Sequence, residues 1–212
     1  HARPALPIYL SLLRASGSTA ADFSGAVFLG ELALDGSVRR VTGALPMTIM
    51  AAEKGFKRIF LPADNAAEAS VVKGIEVYGV RSALEVVNFF EGLISLRPEE
   101  PLDFRPAAEG SYPDMADVLG QAMAKRALEI AAAGGHNTLL IGPPGSGKSM
   151  LARRFPSILP DLTFEEAIET TKIHSIAGTL TPDHPIVTER PFRSPHHTVP
   201  PPGVARGGDT RS

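Results

Sequence analysis

Along the first ninety-odd residues the apolar positions switch between a spacing of three to four and a spacing of two, the mark of helices interleaved with strands. Leu6, Ile8, Leu10, Leu12 and Leu13 predict a buried helix near the start. Ala26 to Leu32 reads as a strand, Asp35-Gly36 is a hairpin turn signal, and Val38 to Val41 reads as a second short strand. A helix is predicted over Leu45 to Lys54, closed by Gly55. Arg58 to Leu61 and Ile75 to Val80 are two further strands, the first halted by Pro62. Ser82-Ala83-Leu84-Glu85 has capping-box spacing ahead of an apolar helix. These elements predict a small α/β domain over residues 1–96.

The periodicity then lapses. Between Leu96 and Asp114 lie Pro98, Pro101, Pro106 and Pro113 with Glu99, Glu100, Glu109 and Gly110. Proline removes backbone donors and the acidic residues have no core to join, so 97–114 reads as a linker. Pattern returns with a helix over Gln121 to Ala133, a short apolar strand at Thr138-Leu139-Leu140-Ile141, and a helix through Met150 to Arg154. Thr163-Phe164-Glu165-Glu166 has capping-box spacing and opens another helix that runs to about Ile173. A second α/β domain is therefore expected over 115–212, with no internal repeat.

Between the predicted strand and helix stands Gly142-Pro143-Pro144-Gly145-Ser146-Gly147-Lys148-Ser149, which fits Gly-x4-Gly-Lys-Ser/Thr. Gly142, Gly145 and Gly147 can take backbone angles closed to other residues, so the loop can turn several N–H groups onto one phosphate chain. The phosphates of ATP would then sit at a helix N-terminus, against Pro143, Pro144, Ser146 and Met150 as well as the glycines. Lys148 supplies the catalytic point charge for the β and γ phosphates, and the Ser149 hydroxyl is the expected Mg²⁺ ligand. The plain alternative is a glycine-rich turn with an incidental lysine, and the strand-loop-helix setting argues against it.

Other chemistry-bearing residues fit quieter readings. Glu165, Glu166 and Glu169 lie at a helix start, where carboxylates complement the helix dipole. His174 and His184 are isolated and read as structural, while the adjacent His196 and His197 point to opposite sides of an extended segment and do not clamp one metal. Arg190, Arg193, His196, His197 and Arg206 cluster in a Pro- and Gly-rich stretch that reads equally well as a phosphate-contacting patch or as a loop near the nucleotide.

Composition changes this picture in three places. The formal charge of −2 over 212 residues gives no global attraction for nucleic acid, so a DNA contact must come from a local patch or an assembled ring. The absence of cysteine rules out disulfides, thiolate metal sites and cysteine nucleophiles, and fits a cytoplasmic protein. No apolar run reaches the roughly 18 residues of a membrane span. The chain begins without Met and stops after Gly207-Gly208-Asp209-Thr210-Arg211-Ser212, so a fragment clipped at both ends is expected. After Ile141 no apolar strand ending in Asp-Glu follows. The chain is accordingly expected to bind nucleotide without hydrolysing it, hydrolysis belonging to its parent protein.

Phe28-Leu29-Gly30-Glu31-Leu32, Asp35-Gly36, Gly43-Ala44-Leu45 and Ile59-Phe60-Leu61-Pro62 resemble the proteolytic domain of Lon-type proteases, which has the ribosomal protein S5 domain 2-like fold. The lysine of the Lon dyad would follow Gly43-Ala44-Leu45. Pro46 stands there, no serine occurs in residues 1–10, and Lys54 and Lys57 read as solvated. The resemblance thus implies a Lon-like domain without peptidase activity. Val118-Leu119-Gly120-Gln121 resembles the Val-x-Gly-Gln stretch by which ATPases associated with diverse activities (AAA+) line the adenine pocket, which makes Gly120 and Gln121 nucleotide contacts. Ala131 to Asn137, the phosphate loop and Arg190 to Thr198 are similar to the magnesium-chelatase-like branch of those ATPases. A Lon-like domain followed by this ATPase resembles the YifB/ComM family over nearly the whole chain. The resemblance implies a homo-hexameric ring acting as a DNA helicase that drives branch migration, on single-stranded or branched DNA, during natural transformation. A magnesium chelatase ATPase subunit and a chaperone-like remodelling ATPase are the competing readings.

Overall fold

A computed structural model describes residues 5–106 and 112–190. It divides into two compact units. Among the described residues, one comprises 5–106 and 161–189, the other 112–160 and 190. Composition predicted a single boundary in 97–114. Residues 161–189, expected in the second domain, belong instead to the first unit.

The first unit is built on a parallel three-stranded sheet of β1 (Ala26–Phe28), β4 (Arg58–Pro62) and β5 (Glu76–Val80), in the order β1-β4-β5. The register sets Phe28 beside Phe60 and Phe60 beside Tyr78. Alternation then sorts these strands into two faces. Phe28, Phe60, Tyr78 and Val80 turn to one side and meet Leu6 and Leu10 of α1 (Ala5–Ala15) and Val86, Phe89 and Phe90 of α4 (Ala83–Phe90). Val27, Ile59, Leu61 and Val77 turn to the other and meet Ala51 of α2 (Ala44–Glu53) and Ala66 and Ala69 of α3 (Ala63–Ala69). Phe60 stacks on Tyr78 with ring centroids 4.8 Å apart and on Phe28 at 5.4 Å. Helix α3 can lie close to β5 because Gly79 faces it: a Cβ there would come within 2.9 Å of the Ala66 methyl.

Several expectations are corrected in detail. The helix at the start forms, yet only Leu6 and Leu10 are buried, while Ile8 and Leu12 face solvent. The strand expected over Ala26 to Leu32 breaks at Gly30, whose φ of 152° no other residue type adopts readily, and a Cβ there would strike Val38. The chain therefore leaves the parallel sheet and enters a separate antiparallel hairpin, β2 (Glu31–Leu32) with β3 (Val38–Arg39). Asp35 makes the turn, its carboxylate accepting from the Ser37 N–H and hydroxyl. Pro62 ends β4 but also starts α3, an element the pattern did not show. Ser82 caps α4 by accepting from the Glu85 N–H at 3.2 Å, but the Glu85 carboxylate accepts from Arg81 rather than Ser82. Pro46 lies in the first turn of α2, where its missing N–H removes no intrahelical bond; Lys54 and Lys57 are exposed.

Helix α7 (Phe164–Ala177) completes the first unit. Thr163 and Glu166 form the predicted capping box, with bonds of 3.2 and 3.0 Å, and the helix runs four residues past Ile173 to the cap Gly178. Its buried stripe is Ala167, Thr171 and Ser175, at a spacing of four. Small residues on that stripe let α7 approach α2 closely. The α2 N-terminus has no side-chain cap of its own, and α7 provides one: the Ser175 carbonyl accepts from the Gly43 N–H at 2.9 Å and its hydroxyl from the Leu45 N–H at 3.4 Å. His174 bonds Thr179 through Nδ1 at 2.8 Å, and the backbone N–H of His184 closes a turn onto the Thr181 carbonyl at 3.0 Å.

Candidate nucleotide site

The second unit has a small core. Met115 and Val118 pack on Leu128 of α5 (Ala122–Gly134) and on Leu151 of α6 (Lys148–Arg154), with Leu140, Phe155 and Ile158 around them. Asp114 caps the short turn of 3-10 helix at Met115–Asp117 through its carboxylate, and the Met115 N–H bonds the Ser157 hydroxyl at 3.1 Å. Val118 is thereby fixed in the core. The next three residues, Leu119, Gly120 and Gln121, emerge beside the loop that precedes α6.

That loop has the curl its glycines predict. Gly145 and Gly147 both take left-handed angles, at φ 81° and 85°, and Gly147 is the N-cap of α6, so the first N–H groups of the helix have no side-chain cap. At Gly142 a Cβ would stand 2.9 Å from the Ser146 hydroxyl, so the loop closes only around a bare Cα there. Lys148 folds back over the loop: its Nζ donates to the carbonyls of Gly142 and Pro143, both at 2.7 Å, and to the Ser146 hydroxyl at 3.2 Å. The ammonium thus spends its three donors on loop oxygens and lies against the loop. Ser149 follows it on the first turn of α6, exposed, as a hydroxyl able to meet a divalent cation. Met150 lies beside Gly147.

Gln121 joins the two segments. It caps α5 at φ 51° and its side-chain amide donates to the Ser146 carbonyl at 3.4 Å. The structure thus brings Gln121 together with Gly142, Ser146, Gly147, Lys148 and Met150. Gly120 is adjacent in the chain and also left-handed, at φ 69°. Pro143 contributes its carbonyl to Lys148, and Pro144 lies exposed on the loop. The sequence reading has Val118 in the adenine-pocket stretch and Leu140 in a strand; the structure sets both in the core of this unit, each the inward member of a run with exposed neighbours.

One expectation fails here. Thr138–Ile141 is not a strand: no described segment pairs with it, and Leu139 and Ile141 are 82% and 85% exposed. The sequence has the composition of a buried strand, but a strand exists only where a neighbour takes its backbone groups. Of the basic cluster, Arg190 is engaged internally, its Nε donating to the Pro160 carbonyl at 2.8 Å while its own carbonyl accepts from the Tyr112 hydroxyl. Arg193, His196, His197 and Arg206 lie outside the described residues.

Comparison with known proteins covers both units. Residues 114–212 match a family model described as magnesium chelatase, subunit ChlI, and residues 4–65 match one described as subunit ChlI of Mg-chelatase. The competence protein ComM of Haemophilus influenzae is 40% identical over 96% of this chain and 40% of its own length. The uncharacterized protein YifB of Salmonella typhimurium is 42% identical, again over 96% of this chain and 40% of its own. An uncharacterized protein of Mycobacterium tuberculosis is 44% identical over 86% of this chain and 36% of its own. The chain thus spans about two fifths of the length of the curated relatives it matches.

Proposed function

This chain belongs to the magnesium-chelatase-like family of YifB and ComM, and we propose that its second unit is the ATP·Mg²⁺-binding part of an AAA+ ATPase. The observation that carries the reading is the loop with Lys148 held over it and the uncapped start of α6 beside it. The two left-handed glycines leave room for a phosphate chain, the backbone N–H groups of α6 are free to donate, and Lys148 exchanges its two carbonyl partners for phosphate oxygens. Ser149 holds the Mg²⁺, which neutralizes phosphate charge when bound. Val118, Leu119, Gly120 and Gln121 form one wall of the adenine site.

The whole protein, on this reading, is a cytoplasmic homo-hexamer that hydrolyses ATP to drive single-stranded or branched DNA through recombination. Support comes from the family and from the Haemophilus relative, which is a competence protein. The first unit is Lon-like and non-proteolytic, as Pro46 at the position of the dyad lysine implies. The alternative of a chelatase ATPase subunit draws on the wording of the family models.

Calorimetric titration of the chain with ATP·Mg²⁺ tests the site directly. Binding in the native sequence that is lost in Lys148→Ala supports it, and equal binding by both sinks it. A strand-exchange assay on the full-length protein tests the motor: no ATP-dependent extension of a branched DNA would overturn the helicase reading, and cleavage of casein by the same protein would overturn the reading of Pro46.

A further inference from the structure

Among the described residues Gln121 is the one non-glycine residue in the left-handed region. Glycine, which has no Cβ to meet the following carbonyl, and asparagine or aspartate, whose short polar side chains bond locally, are the ordinary occupants of such a conformation. Retention of strain of this kind points to a task for the side chain. The residue before it, Gly120, is left-handed too, so two successive residues turn the chain sharply out of the buried Val118 and into α5. The turn aims the Gln121 side chain away from its own helix, which it does not cap by a side-chain bond, and toward the loop. Its Nε2 donates to the Ser146 carbonyl at 3.4 Å. The same nitrogen fills the space that a Cβ on Gly147 would need, 2.5 Å from that position. Gly147 therefore serves two ends: it takes the left-handed angle that starts α6, and it leaves a slot for an amide from another element.

We propose that Gln121 is a positioning residue whose side-chain amide holds the Ser146–Gly147 segment in its phosphate-ready curl, so that occupancy of the adenine wall and order in the phosphate loop are linked through one side chain. This rests on the nucleotide-site reading above and goes beyond it by giving the amide a role distinct from contact with the base. Gln121 and the loop are tied at a single carbonyl. A base seated against Leu119 to Gln121 restrains the residue at its backbone, and the restraint reaches Ser146 through the amide. Lys148 shares the same segment, since it donates to the Ser146 hydroxyl.

Two variants separate this role from support of the helix. Gln121→Gly removes the amide and the backbone strain together, leaving α5 free to start as it does. Gln121→Glu keeps the length but puts a carboxylate oxygen where the donor was, facing the Ser146 carbonyl. The first readout is amide hydrogen exchange in the nucleotide-free chain. Exchange across residues 142–148 should rise roughly fivefold in Gln121→Gly and further in Gln121→Glu, with Leu128 and Leu151 as slow as in the native chain. The second is affinity: ATP and tripolyphosphate should each bind about fivefold more weakly in Gln121→Gly, while adenosine is held as before. Unchanged exchange in both variants overturns the proposal, as does equal weakening of adenosine and ATP, which would make Gln121 a base contact alone. Failure of the native chain to bind ATP, with the exchange effect intact, would instead overturn the nucleotide reading while leaving Gln121 as the holder of the loop.

Discussion

Arg58–Pro62 and Thr138–Ile141 are two short apolar runs, and they meet opposite ends. In β4 the residues Ile59, Phe60 and Leu61 are wholly buried, flanked by a parallel strand on each side and by helices on both faces. In the second unit Leu139 and Ile141 stand in solvent and only Leu140 turns inward. Hydrophobicity alone thus does not make a strand. Backbone partners do, and β4 has two while Thr138–Ile141 has none among the described residues. The first unit accordingly carries a full α/β core, and the second holds its phosphate loop with a cluster of four buried side chains.

The sharpest way to break that comparison is truncation on each side of it. Phe60→Ala empties the center of the first core, where the ring touches Phe28, Tyr78, Phe89 and Phe90, and should cost about 3–5 kcal/mol in chemical denaturation. Leu139→Ala should change stability by less than about 0.5 kcal/mol. Comparable losses from the two would show that the second run is paired after all.

Next in size, Lys148→Ala should weaken ATP·Mg²⁺ binding by about 2–3 kcal/mol, or roughly thirty- to 150-fold, through loss of a charge-assisted contact. Denaturation midpoints should hardly move, because Lys148 contacts only the loop. A large loss of stability in this variant would mean that the lysine supports the second unit rather than its ligand. Thr163→Ala should cost about 1 kcal/mol by removing the cap of α7. Since α7 caps α2, the loss should register in the transition of the first unit, and its appearance in the second would undo the assignment of 161–189.

The smallest effect is a pH dependence. Glu68 is buried, with Oε1 accepting from Asn65 at 2.6 Å and Oε2 lacking a partner. Burial pushes its carboxyl above the ordinary value of 4.5, against the opposing pull of the Asn65 bond, the Arg40 charge and the nearby Ser175 hydroxyl. Between the unfolded and folded values the native state holds the extra proton, so stability falls as pH rises. The contribution is complete below about pH 4.5 and lost as pH passes the elevated folded value. Glu68→Gln should flatten that slope in denaturation curves taken from pH 4 to 7. An unchanged slope would remove Glu68 as its source.

Much of the first unit was legible because its signals are local. The Asp35-Gly36 turn, the stop at Gly55 and the cap at Ser82 each depend on neighbours a few residues away. The curl of the loop over 142–149 was legible for the same reason: Gly145, Gly147 and Lys148 carry their geometry in their own backbone and reach. The break at Gly30 was not, because it answers to Val38 across the hairpin. Helix α3 was hidden because its buried stripe is Asn65, Ala66 and Ala69, too small and polar to register as apolar period.

Helix α7 shows the division most plainly. Its isoleucines at 173 and 176 suggest an apolar face, yet they are exposed, and the helix buries Ala167, Thr171 and Ser175 instead. By itself the sequence determined the α/β class, the turns, the caps and the curl of the glycine-rich loop, all set by interactions within a few residues of one another. Tertiary structure alone decided which apolar runs became strands, that α7 folds with the first unit, and that Gln121 meets Ser146. Those outcomes depend on which distant backbone groups and small side chains come within bonding distance, and no local pattern encodes that.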